Sequence, residues 1–202
     1  MKPFKIILLV FILNSSVAFG QSDTAVVSKD EYTQNQIIHY GSEIYSFHFR
    51  YTEASQAVDI WTNDYLHFEG KFLNFTKSLD QVPIKYYSQI ILLDTSSARN
   101  IYNLFLESGI LQIPIQDSIP GWRNGLDGGD YIFQYSIKEK YHYKKYWTPS
   151  AFKNIKEAVI IDSLCYKLMK VAKFRGRWAN FLHLLPVGCY DYADGLMSCN
   201  KK

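Results

Sequence analysis

Asn124-Gly125-Leu126-Asp127-Gly128-Gly129-Asp130 is the stretch whose residue types come nearest to a chemical motif. Two carboxylates on a glycine-rich loop can hold a hard cation or work as an acid–base pair, because glycine lets backbone approach a ligand closely. The spacing supports less than that. An EF-hand loop needs more oxygen ligands and a terminal glutamate, and aspartate in a glycine turn ordinarily caps its own backbone. Asp127 and Asp130 therefore stand as candidate acids of a small hydrolase, set against a turn with no chemistry. Asp191 and Asp194 in the tail carry the same pair of readings. No cofactor or metal is expected.

Other chemistries lack their residues. There is no Gly-x-Ser-x-Gly elbow, and the five histidines define no dyad. No cysteine–histidine spacing suits zinc, and no glycine motif follows a strand as a nucleotide site requires. His48 falls on the polar face of a strand and reads as a solvated histidine. Aromatic residues make up 16% of the chain. Exposed tyrosine and tryptophan can stack on sugars or hold a protein partner. Trp122, in a loop beside Pro120 and Gly121, is the candidate binding residue of that kind.

The elements that must position these residues are clearest just after the glycine loop. Tyr131, Phe133, Tyr135 and Ile137 alternate with Ile132, Gln134, Ser136 and Lys138, the period of a half-buried strand. Tyr141, Tyr143 and Trp147 form the apolar face of a second strand. Opposed residues share a sheet face, so pairing these two odd-numbered faces predicts a three-residue connection, Lys138-Glu139-Lys140. Lys138, Lys140, Lys144 and Lys145 then read as solvated. Thr148-Pro149 predicts an N-cap and the start of a helix running to about Lys173. Ala158, Ile161, Cys165, Leu168 and Ala172 form its buried stripe.

Upstream, Ile44 to Tyr51 alternates with Tyr45, Phe47 and Phe49 turned inward. Val58 to Trp61 is a second strand. Tyr65 to Phe75 is a longer one, with Gly70 marking a bulge. Ile90 to Leu93 is a continuous apolar run, predicting a strand buried on both faces. Asp94-Thr95-Ser96 caps a helix carrying Ala98, Ile101 and Phe105 and ended by Gly109. Asn74-Phe75-Thr76 has the form of a glycosylation sequon.

Residues 1–20 have the form of a secretory signal: Lys2 and Lys5, then eight consecutive apolar residues from Ile6 to Leu13, then small Ala18 and Gly20. Cleavage is expected after Gly20, with a flexible leader over 21–36 and one domain over 37–202. Loss of Lys2 and Lys5 lowers 22 basic residues to 20 against 19 acidic ones, a net charge of +1. That balance gives no electrostatic case for nucleic acid. No second apolar run reaches membrane length. An oxidising destination permits a disulfide, expected between Cys189 and Cys199, while Cys165 on the helix stripe stays a buried thiol.

At GLDGGDYIFQY and YHYKKYWTPS, Gly125 to Tyr135 and Tyr141 to Ser150, the chain resembles a group of uncharacterised secreted proteins from Gram-negative bacteria. Their pattern is a GLDG turn, an aromatic strand ending near an acidic residue, and a Tyr-rich strand ending in Trp-x-Pro. Gln134 stands near the place of the acidic residue. The resemblance implies a secreted protein and brings no activity with it.

The fold class expected is α+β: a mainly antiparallel sheet of about five to seven strands with two principal helices. The function expected is that of a secreted or periplasmic binding or interaction module without catalysis, with an envelope protein or glycan as partner. The alternative is an extracytoplasmic hydrolase cutting envelope glycans through Asp127 and Asp130.

Overall fold

The computed structural model describes residues 24–29, 45–51, 55–137, 140–193 and 196–201. Residues 1–20, with the expected signal, lie outside them, as do Lys138, Glu139 and Asp194. An antiparallel seven-stranded sheet runs in the order β1-β5-β4-β3-β2-β6-β7. Its strands are Ala25–Val27, Tyr45–Tyr51, Gln56–Thr62, Glu69–Lys77, Tyr86–Leu93, Asp130–Ile137 and Lys140–Trp147, here β1 to β7. Three α-helices are described: α1 (Thr95–Glu107), α2 (Lys156–Val171) and α3 (Phe174–Leu184). A hairpin of β8 (Gly188–Ala193) and β9 (Leu196–Asn200) forms a second small sheet. The class is α+β and mainly sheet, as the residue pattern predicts.

Strands β2 to β5 form a meander. The chain then passes through α1 to reach β6 on the far side of β2. The alternation of β2 puts Tyr45, Phe47 and Phe49 inward, all essentially buried. Phe47 meets Phe105 of α1 at 4.2 Å between ring centres, and Tyr45 meets Tyr102 edge-on at 4.8 Å. Asp94 starts α1 as expected, accepting from the Ser97 amide at 2.8 Å. Hydrogen bonds from Ser96 and Ser97 hold its carboxyl well below the usual range. Ala158, Ile161, Cys165, Leu168 and Ala172 are all buried against this core, with Leu164 beside them.

Several expectations are corrected. Ala25–Val27 lies in the stretch read as a flexible leader, yet it pairs with β5 from Ala25 opposite Ser88 to Val27 opposite Tyr86. Strand β5 is not buried on both faces: Ile90 and Leu92 turn away from the helices and are exposed. There is no bulge at Gly70, since β4 pairs with both neighbours in unbroken register. Glycine is required there because a Cβ would come within 2.9 Å of the Asp59 carbonyl oxygen. Strand β4 begins at Glu69, not Tyr65, because the Asp64 carboxylate accepts from the Leu66 and His67 amides and closes a turn first. A 3-10 turn, Pro149–Ala151, does follow Thr148 with Pro149 at its start, but Thr148 is left-handed with no side-chain cap and the α-helix begins only at Lys156. Phe152 lies between the two and packs against Trp122 and Trp147.

The largest correction concerns β6 and β7. Tyr131 opposes Tyr146, Phe133 opposes Lys144, and Ile137 opposes Lys140. The register is one residue away from the expected one, and every β7 side chain changes face. Tyr146 and Lys144 point into the core, while Tyr141 and Tyr143 are half exposed. Lys144 is accommodated because its Nζ donates to the carbonyls of Ile110 (2.7 Å), Leu111 (3.1 Å) and Ile113 (2.5 Å). Tyr146 is fully buried, and its hydroxyl donates to the Pro114 carbonyl at 2.9 Å. The turn after α1 thus supplies the acceptors that select this register.

A second, smaller core of Tyr87, Trp178, Phe181, Leu185 and Tyr190 lies under α3 and the β8–β9 hairpin. Between the two cores runs a ladder of three amides, one from each neighbouring strand. Gln56 Nε2 donates to Asn74 Oδ1 at 2.7 Å, and Asn74 Nδ2 donates to Gln89 Oε1 at 2.9 Å. Gln56 also donates to the Phe174 carbonyl of α3 at 3.0 Å. Asn74 is fully buried in this ladder, so the folded chain has no room for a glycan on it. Cys189 and Cys199 oppose each other across the hairpin at disulfide distance, S–S 2.10 Å, and Cys165 is free and buried.

Candidate functional site

The two acids of the glycine loop stand in different settings. Asp127 is exposed at the loop surface. Asp130 opens β6 and holds Lys145 of β7 at 2.7 Å. That contact raises the Lys145 pKa. The glycines have a packing reason. A Cβ on Gly125 would overlap the Trp147 ring, and one on Gly128, at φ +138°, would overlap the Thr148 hydroxyl and crowd the same ring. The loop is wrapped over an indole. Asn124 accepts from the Gln116 side chain at 2.6 Å, which ties the loop to the short 3-10 turn Gln116–Ser118.

Trp122 is not the exposed aromatic that its loop position suggests. It is 7% exposed, and its Nε1 donates to the Trp147 carbonyl at 2.9 Å. It lines a surface depression beside Arg123 and Phe152. Asp191 is ion-paired to Lys77 at 3.2 Å.

Sequence reading missed a His–Asp contact. His48 on β2 faces Asp59 on β3 in direct cross-strand register, Nδ1 bonded to the carboxylate, with Lys71 at 3.4 Å on the other oxygen. Burial works to raise the Asp59 carboxyl, but His48 and Lys71 outweigh it and hold it below the usual range. His48 is 2% exposed, not solvated. The signal was available in principle, since both residues lie on polar faces of adjacent strands, but it needed the register. The other His48 ring nitrogen, Nε2, is buried without a hydrogen-bond partner. Among the described residues, no group of three or more His, Cys, Asp or Glu side chains could hold a metal.

Polar side chains meet open space in a cavity of about 330 Å³ beside the glycine loop, lined by Gln116, Asp117, Asn124, Tyr143 and Lys145, and in a larger one at the start of α3. The larger cavity, of about 540 Å³, lies between the end of α2, the first turn of α3 and the amide ladder. Lys170, Lys173 and Arg175 line it, and none makes an ion pair with a described residue. Lys173, left-handed at φ 54°, reverses the chain from α2 into α3. No side chain caps α3, and its first turn carries no acidic residue. The partial positive charge of a helix start therefore adds to three cations that no carboxylate among the described residues pairs with.

The floor of this cavity is Gln56, fully buried. Its amide donates to Asn74 and Phe174, while its Oε1 has no hydrogen-bond partner. Tyr166 and Tyr192 form the walls, Tyr166 largely exposed and Tyr192 half buried. Burial raises the Tyr192 hydroxyl pKa, and the nearby Arg175 charge opposes that rise. Gly176 sits in the first turn of α3, and a Cβ there would meet nothing within 4 Å. None of these residues was singled out from the sequence, because β3 is far in the chain from the junction of α2 and α3.

No described helix is long and apolar enough to cross a membrane. Comparison with known proteins adds no identity: no family model, no curated protein and no solved structure matches this chain.

Proposed function

We propose that this chain is an extracytoplasmic binding module that takes a ligand into the cavity at the start of α3 and performs no catalysis on it. The observation that carries this reading is the coincidence, at one cavity, of three uncancelled cations and a buried amide oxygen with no donor. A buried acceptor without a partner costs about 1–3 kcal/mol, so a ligand that supplies the donor recovers free energy on binding. The signal-like residues 1–20, the Cys189–Cys199 pair and the resemblance at the glycine loop and YWTP strand end support export. Fractionation of the producing cell, with N-terminal sequencing of the exported chain, is expected to find Gln21 first.

Envelope-glycan hydrolysis through Asp127 and Asp130 is the competing reading. Incubating the purified protein with envelope glycan and measuring new reducing ends separates the two. The binding reading expects glycan retained and no ends released. Release of ends that disappears in Asp127→Asn and Asp130→Asn would overturn it.

A further inference from the structure

Resting on the binding reading above, we infer that the α3 cavity receives a phosphorylated saccharide, its phosphate at the helix start and its sugar against the tyrosines. Phosphate follows from the charge. Lys170, Lys173 and Arg175 surround a helix start that has neither a side-chain cap nor an acid in its first turn. Amide groups at such a start, with nearby cations, match the several acceptor oxygens of a phosphomonoester. A monoanionic carboxylate would leave most of that charge uncancelled.

The saccharide follows from the other walls. Gln56 lines the floor with both amide hydrogens engaged and its oxygen free, so it asks for a hydroxyl donor. Tyr166 and Tyr192 line the cavity, the Tyr192 ring also packing on Trp178 at 4.5 Å, and amphipathic rings of this kind suit the C–H face of a sugar. A cavity of about 540 Å³ lies within the range of small-ligand sites. Gly176 is a second, independent pointer. Glycine inside a helix costs stability relative to alanine, and here no neighbour requires it. Its missing side chain keeps the cavity clear beside the first-turn backbone.

The test is calorimetric titration of the purified protein with glucose 6-phosphate, inorganic phosphate and glucose in separate arms. Glucose 6-phosphate is expected to bind at least about tenfold tighter than inorganic phosphate, and glucose to show no binding. Gly176→Leu is expected to abolish binding while the circular dichroism spectrum is unchanged. Arg175→Ala is expected to weaken both phosphate-bearing probes about tenfold. Gln56→Leu is expected to remove the advantage of the sugar phosphate over phosphate alone. Equal affinity for the sugar phosphate and inorganic phosphate would overturn the saccharide assignment, as would wild-type binding by Gly176→Leu. If none of the probes binds but envelope glycan is retained in a Gly176-dependent way, the phosphate inference fails and the binding reading survives. If retention is also absent, or unchanged in Gly176→Leu, both fail.

Discussion

At the turn after α1, one lysine is buried and every hydrogen of its ammonium has an acceptor. At the start of α3, three cations surround a cavity with no carboxylate among the described residues to meet them. The first arrangement is complete in the folded chain. Lys144 enters the core because three carbonyls, from Ile110, Leu111 and Ile113, replace the water it loses. The second is incomplete. Lys170, Lys173 and Arg175 keep contact with solvent, and the Gln56 oxygen beneath them lacks a donor. The difference separates charge that serves the fold from charge available to a ligand.

The contrast can be broken most sharply at Lys144. Lys144→Met removes the donor of three carbonyls and is expected to destabilise the protein by about 3 kcal/mol, read by urea unfolding. A loss below about 0.5 kcal/mol, the size of an ordinary surface substitution, would mean that the lysine is not structural. The amide ladder comes next. Asn74→Ala removes the bonds that Asn74 makes with Gln56 and Gln89 and is expected to cost about 2 kcal/mol in the same measurement. It should also loosen α3, seen as faster amide exchange in Phe174–Leu184.

Lys144 also carries a pH signature. Burial lowers its pKa below the ordinary 10.5, so the folded chain releases that proton before the unfolded chain does. In the window between the lowered value and 10.5 the unfolded state binds more protons, and this group makes stability rise with pH. That alkaline rise is expected to vanish in Lys144→Met, as followed by thermal unfolding at a series of pH values. The smallest effects belong to the cavity. Gly176→Ala is expected to raise stability by about 0.5–1 kcal/mol through helix propensity, with no clash to offset it. Arg175→Ala should change stability by less than about 0.5 kcal/mol while weakening ligand binding. A large loss of stability in Arg175→Ala would place that cation with Lys144, among the structural ones.

Much of the fold was legible in local pattern, and the candidate site was not. Alternation in Tyr45–Tyr51 named the inward rings because both neighbours of β2 present the same kind of face. The same reasoning failed in Lys140–Trp147, where aromatic residues occur on both faces. Tyr141, Tyr143 and Trp147 looked more apolar than Lys144 and Tyr146, yet the latter two had acceptors waiting for them in the turn after α1. His48 failed in the same way, because its partner Asp59 is identified only by the β2–β3 register. The α3 cavity joins a β3 glutamine to residues more than a hundred positions later. No window of sequence contains both.

What the amino-acid sequence determined by itself was short-ranged: strand and helix periods, the Asp94 cap, the buried stripe of α2, and a cysteine pair ten residues apart. These depend on interactions within a turn or along one face, so residue type and spacing are enough. Tertiary structure decided which face of β7 is buried, where Lys144 finds its carbonyls, and that an uncapped helix start opens over an unsatisfied glutamine. Those outcomes depend on partners supplied by distant segments. A buried polar group goes where its hydrogen bonds can be met, and only the assembled chain sets those places.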